Sequence, residues 1–210
     1  MLNILTFCVG VLPSSKIKNL LFRLLGHLVE NSATIKPIII WKCKDIVVEE
    51  NAILGALSVF RDLECLHLES NAKIGQLNWI SASKLLAGLG APSKLIMSRD
   101  SVITNRHYLD VSGGVTIGEA SAITGVRSTF ITHGVSYETN EQGWKGIAIE
   151  HHNLIGSNSI LIPGVRTNPY SIYGMGALIA GESKESYKLF LNRPSEPKKS
   201  LNSKSRYFFN

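Results

Sequence analysis

Positions 149, 155, 161, 167, 173 and 179 recur every six residues as Ile149, Ile155, Leu161, Thr167, Tyr173 and Ile179, most of them bulky and apolar. A period of six fits neither the 3.6-residue helix nor the two-residue strand, so it must come from a supersecondary unit repeated along the chain. Hexads of this kind predict a β-helix, in which three of them, about 18 residues, wind one triangular turn and stack their six-spaced side chains inside. Gly156 and Gly174 support the frame, because each follows a core position and they lie 18 residues apart, where the backbone must bend tightly.

The same period runs, less regularly, through the first half. NAILG at Asn51–Gly55 returns as NAKIG at Asn71–Gly75, with Val48, Leu54 and Phe60 in one run and Leu68, Ile74 and Ile80 in the next. The 20-residue interval between the two phrases predicts one turn plus a two-residue bulge near Arg61–Glu64. Residues from about 81 to 94 leave the period and predict a loop or short helix projecting from the coil. The repeat resumes at Ile103, Leu109, Val111, Ile117, Ile123 and Thr129, then stops for a polar interval, 134–146, before Ile149 restores it. A loop of that length between regular turns favours function.

Ahead of the coil, Met1–Val11 is apolar, lacks the basic start and cleavage site of a signal peptide, and is too short to span a bilayer. Ser14 or Ser15 can cap a helix running to about Val29, with Leu20, Leu21, Leu24, Leu25 and Leu28 as an apolar stripe and Lys16, Asn19 and Arg23 turned elsewhere. Such a helix is expected to cover the open first turn of the coil. The alternative is docking on a membrane surface or a membrane-bound partner. The expected organisation is an N-terminal segment 1–32, a coil domain 33–181 and a C-terminal extension 182–210.

Composition adds little that is specific. The 210-residue chain carries a formal net charge of +6, with a basic cluster at Lys198, Lys199, Lys204 and Arg206, which does not require nucleic acid. Cys8, Cys43 and Cys65 have no metal-ligand spacing and read as small buried apolar groups in a reducing compartment, with the cytoplasm as the default. Among the histidines, His133 stands at the root of the polar interval, held by a strand on one side. An imidazole there can take a proton from a hydroxyl as its oxygen attacks a carbonyl.

ITNRHYLDVSGGVTIGEASAITGVRSTFITHG, followed by a loop and then IGSNSILIPGV and GMGALIAGES, resembles the left-handed β-helix acyltransferases, the hexapeptide-repeat group that includes maltose and serine O-acetyltransferases. It is most similar to acetyltransferases acting on bacterial surface polysaccharide, over about Ala33–Pro194. The resemblance implies an all-β, left-handed parallel β-helix assembled as a homotrimer, with acetyl-CoA as co-substrate in the groove between subunits and a carbohydrate as acceptor. It makes His133 the general base, and it sets Gly156, Ser157, Gly176, Ala177 and Ala180 along the pantetheine arm, with Lys184 and Arg193 toward its phosphates. Asp110 is the candidate for orienting His133 or binding the sugar, and Asn105, His107 and Trp144 are candidates for the acceptor side. Thr167 and Asn168, and the phrase Asn192–Ser195, depart from the family pattern.

Two other classes use the same coil. A zinc enzyme similar to the γ-class carbonic anhydrases needs three converging histidines, a spacing this chain lacks, so no metal is expected. A non-catalytic scaffold in polysaccharide synthesis would fit if His133 faced the coil interior.

Overall fold

The computed structural model describes residues 2–136 and 140–191. Within them the chain winds a left-handed parallel β-helix whose three faces are parallel sheets of six, eight and seven strands. Each turn visits the faces in the same order, so a strand pairs with its counterpart one turn on, as in Asp45–Val48 with Cys65–Leu68 and that with Lys94–Met97. Strands of two to four residues suffice because each inward side chain lands on its equivalent. Val48, Leu54, Phe60, Leu68, Ile74, Ile80, Ile103, Leu109, Val111, Ile117 and Ile123 are all buried, as are the six from Ile149 to Ile179, Thr167 and Tyr173 included.

The frame slips near Ile123. Thr129 is only half-buried and Phe130 takes the inward position, pairing with Leu109 and Leu161, because the corner after Ile123 holds one more residue than its neighbours. Near Arg61–Glu64 the extra length turns Leu63 inward, where it is buried. The coil also reaches beyond 33–181. Leu28–Val29 already pairs with Val47–Val48, and Leu189–Phe190 pairs with Ile172–Tyr173, where Tyr173 stacks on Phe190 at 4.5 Å.

The corner between the second and third faces is lined inside by a polar column. Ser58, Asn78, His107, Ser128 and Ser159 are all buried, each two residues before an inward apolar one. Their side chains accept backbone N–H groups from the next turn: Asn78 N donates to Ser58 Oγ at 3.2 Å, His107 N to Asn78 Oδ1 at 2.8 Å, Ser128 N to His107 Nδ1 at 3.1 Å and Ser159 N to Ser128 Oγ at 3.3 Å. The corner's amides are thereby satisfied without water.

Two helices close the first turn. The first, α1, spans Leu2–Gly10, and α2 spans Lys16–Leu24, capped by Ser15 Oγ, which accepts from Lys18 N at 3.1 Å. It ends at Leu24 rather than near Val29, since Leu28–Val29 is needed as the first strand of the coil. The expected leucine stripe holds only in part, since Leu21 and Leu25 pack against the core. The buried residues of α2 are Lys18, Asn19 and Phe22, while Leu20, Leu24 and Leu28 are exposed. Lys18 Nζ donates to Gly10 O, Leu12 O and Lys36 O at 2.7–2.9 Å, and Asn19 Nδ2 to Glu30 O and Ala33 O at 3.0 and 2.8 Å. These carbonyls lie at the end of α1 and the start of the coil; Gly10 O and Glu30 O each accept a backbone N–H as well, and satisfying the group outweighs burying Leu20 and Leu24. Burial pushes the Lys18 amine down to about 8.

Of the cysteines, Cys43 is buried, with its thiol pushed up to about 12 by burial, Cys65 is half-buried, and Cys8 is exposed, contrary to expectation. Both interruptions of the repeat leave from the corner between the third and first faces. The earlier one carries a short helix, α3, at Lys84–Gly88, which buries Leu86 and exposes Leu85 and Leu89. The later one is an antiparallel hairpin, His133–Val135 with Gln142–Trp144, in which His133 lies opposite Trp144.

Candidate active site

His133 is fixed by the strand that ends at Phe130 and by the hairpin it opens. Thr132, fully buried, anchors that root: its carbonyl accepts from Lys145 N at 2.9 Å, and its Oγ1 accepts from Gly113 N at 2.9 Å. Position 113 must be glycine, because a Cβ there would stand 2.8 Å from Thr132 O and 2.9 Å from Lys145 C. The hairpin therefore sits directly on the turn that carries Asp110.

Asp110 ends the strand Tyr108–Asp110 and is 4% exposed. Its Oδ1 accepts from Ser112 N at 3.1 Å and Ser112 Oγ at 2.6 Å, and its Oδ2 from Thr132 N at 2.7 Å, Thr132 Oγ1 at 2.6 Å and His133 Nδ1 at 2.8 Å. Burial pushes this carboxyl up, but the hydrogen bonds from Ser112, Thr132 and His133 outweigh it and hold Asp110 below its ordinary range. An ionised carboxylate only accepts, so Nδ1 of His133 carries the proton and Nε2 presents its lone pair. The His133 side chain is 33% exposed against 6% for Asp110, so the imidazole reaches the surface while its partner stays inside.

A groove of about 620 Å³ lies on the same corner, lined among others by Lys94, Gly113, Lys145, Gly164, Arg166 and Glu182. Arg166 is held by Glu150, with Nη1 donating to Oε1 at 2.7 Å. Across Lys145 and Pro163, a second hollow runs under the hairpin and is lined by Trp144.

The other expected site residues do not gather here. His107 is 2% exposed inside the polar column; it accepts at Nδ1 from Ser128 N and donates from Nε2 to Thr104 Oγ1 at 3.0 Å, so it cannot line an acceptor site. Burial pushes it down to about 4 and keeps it neutral. Asn105 is exposed at that same corner, at the far end of the Asp110 strand, where its Oδ1 accepts from Gln76 N at 2.7 Å.

Gly156, Ser157 and Gly176 also lie on the second-to-third corner, away from His133 and the groove. A Cβ on Gly156 would stand 2.7 Å from Met175 N, so this glycine serves the stacking of turns. Ala177 is buried as the last rung of the polar column. Ala180 and Lys184 are exposed near the end of the coil, on the side of the groove, and Arg193 and the basic cluster lie outside the described residues.

Reading the sequence for catalytic types missed Ser112 and Thr132, the residues that complete the Asp110 shell. The signal for Ser112 was an Asp-x-Ser spacing that lets a carboxylate accept from the amide two residues on.

No family profile matches the chain, and no characterised protein matches it in sequence.

Proposed function

We propose that the chain is an acetyl-CoA-dependent O-acetyltransferase of the hexapeptide-repeat group, acting in the cytoplasm as a homotrimer on a hydroxyl of a sugar or surface-polysaccharide precursor. The observation that carries this reading is the Asp110–His133 pair, a buried ionised carboxylate fixing the tautomer of a solvent-facing imidazole. His133 Nε2 takes the acceptor's hydroxyl proton as its oxygen attacks the thioester carbonyl. Asp110 stabilises the imidazolium without accepting its proton. Collapse of the tetrahedral intermediate breaks the C–S bond, and the imidazolium returns the proton to the departing CoA sulfur. A backbone N–H aimed at the carbonyl oxygen supplies the oxyanion contact.

The groove supports the donor side, since Lys94, Lys145 and the Glu150-paired Arg166 line it beside the hairpin root, within reach of CoA phosphates. Support for assembly comes from the outer surface of the third face, where Ile39, Trp79, Tyr108, Ile160 and Leu178 align in register and are 40–66% exposed. An apolar ladder of this length suits a partner surface. The scaffold reading asked for His133 to face the coil interior, whereas its side chain is 33% exposed.

Thiol release from acetyl-CoA, measured with a panel of sugars, tests the proposal. His133→Ala is expected to lower turnover at least ~100-fold, the usual contribution of a general base. Activity within a few-fold of wild type would remove His133 from the mechanism.

A further inference from the structure

The cap helices bury Val9 and Phe22 and pack Leu21 and Leu25 on the core, yet leave much of their apolar surface outward. In α2, Ile17, Leu20 and Leu24 share one face and are 69%, 47% and 74% exposed, and Leu28 just beyond is 67% exposed. In α1, Leu2, Ile4 and Leu5 are 44–57% exposed, and Val11 and Leu12 follow at 44% and 40%. The opposite side of α2 is committed to the coil by Lys18 and Asn19, whose hydrogen bonds prevent the helix from rolling to hide its leucines. Trp41, partly exposed, packs edge-on against Phe7 of α1 at 6.3 Å.

Charge selects among possible occupants. The first 42 residues hold five basic residues and one acidic residue, Glu30, and Lys16, Lys36 and Lys42 are exposed. A basic, apolar cap is complementary to an anionic surface and repels a second copy of itself. No helix among the described residues is long and apolar enough to cross a membrane.

We infer that the α1–α2 cap seats the protein on a bilayer containing anionic lipid, with the leucines and isoleucines of both helices among the upper acyl chains and the lysines among headgroup phosphates. The inference is independent of acyl transfer.

The test is flotation of the full chain with vesicles of phosphatidylcholine alone or mixed with phosphatidylglycerol. Binding to the mixed vesicles should be at least ~10-fold tighter and should weaken with salt. The double variant Leu20→Ser, Leu24→Ser should lose at least ~10-fold of that binding while its circular dichroism and melting temperature stay close to wild type, because neither side chain is part of the buried core. Failure of the wild type to float with mixed vesicles, or unchanged binding by the double variant, would overturn the inference. So would a solution mass that falls when the leucines are replaced, since a second copy would then be the occupant.

Discussion

Asp110 Oδ2 accepts a hydrogen bond from His133 Nδ1 at 2.8 Å while four further hydrogen bonds, all from Ser112 and Thr132, hold the carboxylate still. The imidazole is thus aimed by groups that are themselves fixed, and Asp110 is a positioning residue under the proposed mechanism. Asp110→Asn can donate to Nδ1 and so favours the wrong tautomer. Turnover is expected to fall ~100-fold or more with KM for acetyl-CoA within a few-fold, which steady-state kinetics will separate from simple unfolding.

His107 makes stability depend on pH. Its folded pKa of about 4 lies below the ordinary 6.5, so between those values the unfolded chain binds a proton that the folded chain does not. The contribution is complete above pH 6.5 and is lost as pH falls toward 4, amounting to about 3 kcal/mol. His27, also pushed down by burial, acts in the same direction. Denaturant titrations of wild type and His107→Gln should show the variant less stable at pH 7 but with a flatter slope from pH 7 to 4.5; equal slopes would mean His107 is not the group responsible.

Lys18 joins three segments through one ammonium. Lys18→Met keeps much of the volume but leaves Leu12 O and Lys36 O without this donor, and the expected loss is about 2–3 kcal/mol in urea unfolding. The exposed neighbour Lys16 serves as control, with Lys16→Met within about 0.5 kcal/mol of wild type.

Gly156 and Gly88 should respond in opposite ways to the same added methyl. At Gly156 a Cβ would meet Met175 N at 2.7 Å and Gly174 C at 2.9 Å, so Gly156→Ala must push adjacent turns away from each other and is expected to cost about 1–3 kcal/mol. At Gly88, in α3, nothing lies within 4 Å, and Gly88→Ala should be neutral or stabilising by up to about 1 kcal/mol. Melting temperatures of the two variants decide whether Gly156 is there for the coil.

The coil was legible in the sequence because inward direction repeats with the hexad, so Leu54, Ile74, Ile103 and Ile155 announce themselves. Phe130 was not, since one residue inserted at a corner changes the frame without changing composition. Burial in α2 was misread for a related reason: hydrophobicity favours Leu20 and Leu24 inside, whereas Lys18 and Asn19 are drawn in by carbonyls that only the folded coil brings near. His133 could be singled out by its place at the edge of a strand and a polar interval. His107 could not be told apart from it as chemistry, because its partners Thr104 and Ser128 come from its own and the following turn and become visible only on stacking.

A helix of near-interchangeable aliphatic turns has an assembly problem, since a winding displaced by one level hides almost as much oil from water. The column Ser58, Asn78, His107, Ser128, Ser159 works against this like the differing cuts of a key: Asn78 meets the amide of His107, and His107 meets that of Ser128, so a displaced winding sets unlike side chains against one another in a dry corner. The level at which Asp110 finds His133 is thereby set by residues that play no role in the proposed chemistry.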